Sequence, residues 1–105
     1  MQISYYQTKA MSYRLESANE AYALLNLAGE VGELLSLVAK SIRDGAEDEV
    51  KFKDLLSKEL GDIMWMVAAV ASDMGLSLEM LCEQNLDKLE QRKQNNTIQG
   101  SGNDR

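Results

Sequence analysis

The sequence contains no histidine and no proline, one cysteine, one tryptophan and one phenylalanine. Without histidine it lacks the Glu-x-x-His pairs from which helical bundles build di-iron sites, so redox iron is the weaker reading of any acidic cluster. Without proline, and with few aromatics, it favours long uninterrupted helices over sheets. The lone Cys82 permits no internal disulfide and reads as a small buried helix residue. Basic residues are short too: 11 Lys and Arg stand against 17 Asp and Glu, a net charge of −6. No basic face is available to neutralise nucleic-acid phosphates. The longest apolar run, Ile63–Ala71, falls well short of the roughly 20 residues that cross a bilayer. The N-terminal MQISYYQTKAMSYR has no signal-peptide core. A soluble cytoplasmic protein, with neither membrane nor nucleic acid as partner, is expected.

What is present is an ordinary globular composition, 45% hydrophobic and 27% charged over 105 residues, enough for one domain with a modest core. A short first helix is expected over about residues 4–13. Ser17 and Glu20 form a capping-box signature, S-x-x-E, that opens a second helix running to about Asp44 and stopping at Gly45. GAEDEV, residues 45–50, reads as an acidic, solvated connection. A third helix is expected over about Glu49–Met74, stopped by Gly75, and a fourth over about Leu78–Gln94, with Ser77 as its N-cap. NNTIQGSGNDR, residues 95–105, reads as a non-helical tail. The fold class is therefore all-α, a bundle of four to five helices over residues 1–94, with residues 95–105 as a candidate lid. The third helix is apolar around its whole circumference over Ile63–Ala71, and the second nearly so from Ala21 to Val38. Helices apolar all round must be covered on all sides, which a monomer this small does not do. A homo-oligomer is expected, with the third helix at the subunit interface.

Two acidic pairs dominate the long helices: Glu30 and Glu33 in EVGE, and Glu59 and Asp62 in ELGD. Each is spaced i, i+3, which stacks two carboxylates on one helical face. Both sit in apolar surroundings, where an unpaired negative charge is costly. Packed side by side, the two helices would bring four carboxylates together, and such a group needs cations. Oxygen-only ligands suit hard ions such as magnesium or manganese, and magnesium is commonly held by carboxylates together with substrate phosphates. Phosphoryl or nucleotidyl chemistry is the natural use. Gly29, Gly32 and Gly61 lie inside helices beside these acids, at about 1 kcal/mol each relative to alanine. They make room, either for a close helix contact or for a ligand.

Phosphate chemistry also calls for basic groups. Lys40 lies seven residues past Glu33 on the same face, followed by Arg43, and Asn85 and Lys88 are i, i+3 neighbours on the fourth helix, with Arg92 one turn on. Gly100, Ser101 and Gly102 could present backbone N–H groups to an anion, with Arg105 adding charge. Trp65, three residues past Asp62, is a candidate to stack on a base; its other reading is core.

In this order, the chain resembles the MazG-like all-α nucleoside triphosphate pyrophosphohydrolases of the short, single-domain bacterial and phage kind. The resemblance rests on YQ at 6–7, LAGEVGEL at 27–34, IRD at 42–44, KELGDIMW at 58–65, GLSLE at 75–79, NLDKL at 85–89 and TIQGSG at 97–102. It implies that Glu30, Glu33, Glu59 and Asp62 are magnesium ligands and the catalytic acids. The implied reaction is hydrolysis of a (deoxy)nucleoside triphosphate to the monophosphate and pyrophosphate, as in nucleotide-pool housecleaning. It further implies that Lys40, Asn85 and Lys88 contact phosphate, that Gln7 reaches the base, and that the protein is a homodimer or homotetramer. Asn26 stands where relatives often carry glycine, and Asn95–Asn96 where they carry Arg-Gly. The alternative from a different class is a non-catalytic helical oligomerisation or regulatory module.

Overall fold

The computed structural model describes residues 1–45 and 48–105 and contains four helices, with no strand among the described residues. They are α1 (Ile3–Ser12), α2 (Tyr22–Asp44), α3 (Glu49–Asp73) and α4 (Leu78–Gln94). The all-α class read from the sequence is what the chain adopts. Local chemistry sets most boundaries. Gly45 ends α2 at φ +89, a conformation that glycine adopts without a side-chain clash. Asp48 caps α3 by accepting from the Lys51 N–H at 2.9 Å, and Ser77 caps α4 by accepting from Met80 N–H. Between α3 and α4 the Leu76 N–H returns to Ala71 O at 2.8 Å around Gly75 at φ +69, a Schellman closure. The two helices meet there at a bend of 103°.

Two boundary expectations change. The Ser17–Glu20 capping box does not form: α2 begins at Tyr22 after Ala21, with no side-chain cap, and Glu20 takes a positive φ of 56. The segment is organised instead by turns and by Arg14, whose Nε donates to Ala18 O at 2.9 Å. The acidic connection expected over residues 45–50 overlaps α3, which begins at Glu49 as expected, so the connection ends at Asp48; its residues 46–47 lie outside the described residues.

α3 is the central element, packed by α2, α1 and α4. The core is small and alanine-rich: Ala23 on α2 and Met66 and Ala69 on α3 are buried, with Met11, Leu27, Trp65 and Val70 against them. α1 is pinned at both ends. The Gln7 amide donates to Ser72 Oγ (3.0 Å) and Leu76 O (2.9 Å), while its oxygen accepts from the Leu78 N–H (2.8 Å). At the far end the Arg14 guanidinium makes a bidentate pair with Asp73 at 2.7 and 2.8 Å, which holds the Asp73 carboxyl below its ordinary range.

The apolar run on α3 is partly covered by the chain itself: Met66, Ala68, Ala69 and Ala71 are buried, while Met64 stays 47% exposed. The open helix is α2, because it packs along α3 alone. Leu24 (60% exposed), Val31, Leu35 (62%), Val38 and Ile42 (80%) face outward. With Ala28 they recur at alternating steps of four and three, the spacing of a coiled-coil seam. α2 is also long and apolar enough to cross a membrane by length and composition, but it carries Glu30 and Glu33 midway, and charged side chains at that depth are costly. The chain is correspondingly open. Its radius of gyration is 16.7 Å, against about 13 Å for a compact domain of this size. Its accessible surface is 8014 Å², against roughly 5,900 Å² for a compact monomer of this mass.

Candidate active site

The inward face of α2 presents Asn26, Glu30, Glu33, Leu37 and Lys40 at steps of three and four residues, so the acids meet the acids of α3 across the α2–α3 seam. Carboxylate oxygens of Glu30, Glu33 and Glu59 all lie within 4.8 Å of one another. Asp62 stands one turn beyond Glu59. It is outside that tight trio, and close enough for its charge to act on both Glu30 and Glu59.

Electrostatically the cluster is unsatisfied. Burial pushes the Glu30 carboxyl up, the charges of Glu33 and Asp62 push it further, and the Asn26 amide only partly opposes them. Burial likewise raises Glu59, helped by the charges of Glu33 and Asp62 and by a hydrogen bond to Glu33 that requires a shared proton. One oxygen each of Glu30 and Glu59 is buried without any hydrogen-bond partner. Buried carboxylate oxygens with nothing to accept from are rare. Carboxylates converging this closely, on two residues that each carry an orphaned oxygen, fit a hard divalent cation, and Glu30, Glu33 and Glu59 with Asp62 alongside are the residues that would hold it.

Two clefts flank the acids. On one side a cavity of about 240 Å³ is lined by Glu33, Ser36, Leu37, Lys40 and Glu59. Lys40 thus shares a cleft with two of the acids, where a cation can meet phosphate. On the other side a larger cavity of about 390 Å³ opens between α1 and α3, with Tyr5, Tyr6, Tyr13, Gly61 and Trp65 in its wall and Asp62 at its edge. Burial, and then the Asp62 charge, raise the Tyr6 phenol above its ordinary value.

Other expected site residues lie elsewhere. The amide of Gln7 is committed to Ser72, Leu76 and Leu78, around the α3–α4 turn. Trp65 lines the larger cavity, but its indole N–H is taken by Ala10 O at 3.1 Å. Asn85 and Lys88 share no cavity with the acids, because α4 packs on α1 and α3 and not on α2. Lys88 donates instead to Asn103 Oδ1 at 3.3 Å. The tail folds on itself. Arg105 donates to the carbonyls of Thr97, Ile98 and Gly102, so its charge is not presented to an anion. Arg92, the basic group one turn past Lys88, is only 8% exposed. The glycines make no close helix contact within the chain, since a Cβ at Gly32 or Gly61 would meet no atom within 4 Å. Sequence reasoning missed the tyrosine-lined cavity, whose one signal was the crowding of Tyr5, Tyr6 and Tyr13 into a ten-residue helix and its edge.

Residues 18–97 match the family model described as the MazG nucleotide pyrophosphohydrolase domain. The chain is 41% identical over 88 residues to the Gene 37 protein of Mycobacterium phage L5, covering 81% of this chain and 75% of that protein. No solved structure matches.

Proposed function

The chain belongs to the MazG nucleotide pyrophosphohydrolase domain family, and on that premise we propose that it hydrolyses (deoxy)nucleoside triphosphates to the monophosphate and pyrophosphate with magnesium bound by Glu30, Glu33, Glu59 and Asp62. The observation that carries the reading is the pair of buried, unpartnered carboxylate oxygens on Glu30 and Glu59, two acids that with Glu33 bring carboxylate oxygens within 4.8 Å of one another across α2 and α3. Magnesium or manganese bound there would neutralise phosphate oxygens and acidify a water. Lys40 lies along the cleft from Glu33 and Glu59 and receives the outer phosphates. Glu33, the exposed member of the trio, takes the proton as water adds across the bond between the α and β phosphates. A cytoplasmic location belongs to the same reading. Phosphorus NMR of the protein incubated with a deoxynucleoside triphosphate and millimolar magnesium tests it. Paired growth of monophosphate and pyrophosphate is expected; orthophosphate with a diphosphate, or no turnover, rejects it. No turnover by a protein that still self-associates leaves the helical module.

Self-association belongs to this proposal. The α2 seam and the excess surface of roughly 2,000 Å² over a compact monomer suit a second copy, since obligate homodimer interfaces run from about 2,000 Å² upward. Leu35→Glu, placed on the seam and away from the acids, is expected to shift the protein to monomer in sedimentation velocity. Unchanged sedimentation would remove α2 from the interface.

A further inference from the structure

The cavity between α1 and α3 takes no part in the phosphate chemistry. Three features say what would fill it. Four of its nine lining residues are aromatic, Tyr5, Tyr6, Tyr13 and Trp65, and Asp62 is another. An occupant is therefore flat or apolar and abuts the acids. Its volume of about 390 Å³ lies within the roughly 300–1,000 Å³ range of small-molecule sites.

Gly61 lines the same cavity. Glycine inside a helix destabilises it relative to alanine, and a Cβ here would meet no atom within 4 Å. Packing of the chain gives no reason for this glycine; clearance for an occupant does.

The polar inventory is narrow. Asp62, which also lines the cavity, belongs to the acids that would hold the cation. The indole N–H of Trp65 is committed to Ala10 O, and the tyrosine hydroxyls can donate or accept, so they favour no particular partner. Lys9 remains. Its ammonium lies 5.4 Å from the Tyr13 ring centroid, at the cavity wall. An ammonium donates and cannot accept.

We propose that this cavity holds the base of the nucleotide, stacked on the tyrosine rings, and that Lys9 selects bases carrying a carbonyl over bases carrying an amino group at the corresponding ring position. The inference rests on the pyrophosphohydrolase reading and names its substrate class. Stacking accepts any base, because each has a π face. Lys9 discriminates: guanine O6 and uracil O4 accept from it, whereas the amino groups of adenine and cytosine face it donor to donor. The family match begins at residue 18 and α1 ends at Ser12, so membership alone prescribes no base.

The test compares kcat/KM for pyrophosphate release from dGTP against dATP and from dUTP against dCTP. In the wild type both ratios are expected at roughly ten- to a hundredfold, the worth of one charged hydrogen bond. Lys9→Met brings both ratios near one, and Lys9→Glu inverts them. Gly61→Leu raises KM for all four nucleotides without lowering the melting temperature. Wild-type ratios near one, or ratios untouched by Lys9→Met, overturn the inference while turnover of the nucleotides leaves the pyrophosphohydrolase reading standing. Hydrolysis of none of the four removes both.

Discussion

Replacing Glu59 with glutamine is expected to abolish pyrophosphate release and, at the same time, to raise the melting temperature of the metal-free protein. The two effects have one cause. Glu59 has a buried oxygen with no hydrogen-bond partner and a carboxyl forced up by burial and by the charges of Glu33 and Asp62. Glutamine keeps the shape, removes the repulsion, and brings an amide that donates to Glu33. Folding without a cation therefore becomes easier. The same exchange removes an anionic ligand, and losing one electrostatic group at a reacting centre costs on the order of a hundred- to a thousandfold in turnover. A surface glutamate would behave differently, with activity retained and the melting temperature little moved. Pyrophosphate assay with magnesium, and thermal melts in chelator, of the one variant decide between the two.

The second large effect is a reciprocal dependence of stability on pH and magnesium. Glu30 and Glu59 titrate above the ordinary carboxyl value of 4.5. Between that value and their raised ones, the folded protein binds more protons than the unfolded chain, so stability falls as pH rises. Their contribution is complete below the ordinary carboxyl value and lost once pH has passed the raised one. Asp73 runs the other way: the Arg14 bridge lowers its carboxyl, so its contribution is lost only as pH falls below 3.8. The metal-free protein should therefore melt higher at about pH 5 than at neutral pH. Magnesium should reverse the order, because ligation needs deprotonated acids. A cation at a hundred times its Kd adds about 2.7 kcal/mol, which moves the melting temperature of a domain this size by roughly ten degrees or more. Melts at the two pH values, with magnesium and with chelator, give the four numbers needed. A metal-free protein with no pH trend, or no magnesium shift at neutral pH, contradicts the cluster.

What the sequence made legible follows from how local each signal was. The caps at Ser77 and the stops at Gly45 and Gly75 act within one turn, so the ends of α2, α3 and α4 could be read directly. The Ser17–Glu20 motif is equally local, yet Arg14 and its long-range bond to Asp73 set that segment's path. That acids of the two pairs come together was legible because i, i+3 spacing fixes each pair on one helical face. Asn85 and Lys88 were not, because their relation to the acids depends on α4 turning 103° away from α3 and missing α2. Gln7 and Trp65 have the right chemistry for a base, but their polar atoms are committed to backbone and Ser72. No spacing rule reports such commitments. Which apolar helix stays open was equally hidden, since α2 and α3 look alike until three neighbours crowd onto one of them.

The claim beneath all of this is that the acids of α2 and α3 converge on one hard divalent ion. Electron paramagnetic resonance of manganese, titrated with the protein, measures that directly. The free-manganese signal should fall to a saturable stoichiometry in the wild type, and the binding should be largely lost with Glu59→Gln. A signal undiminished by the wild-type protein, or diminished equally by the variant, would contradict it.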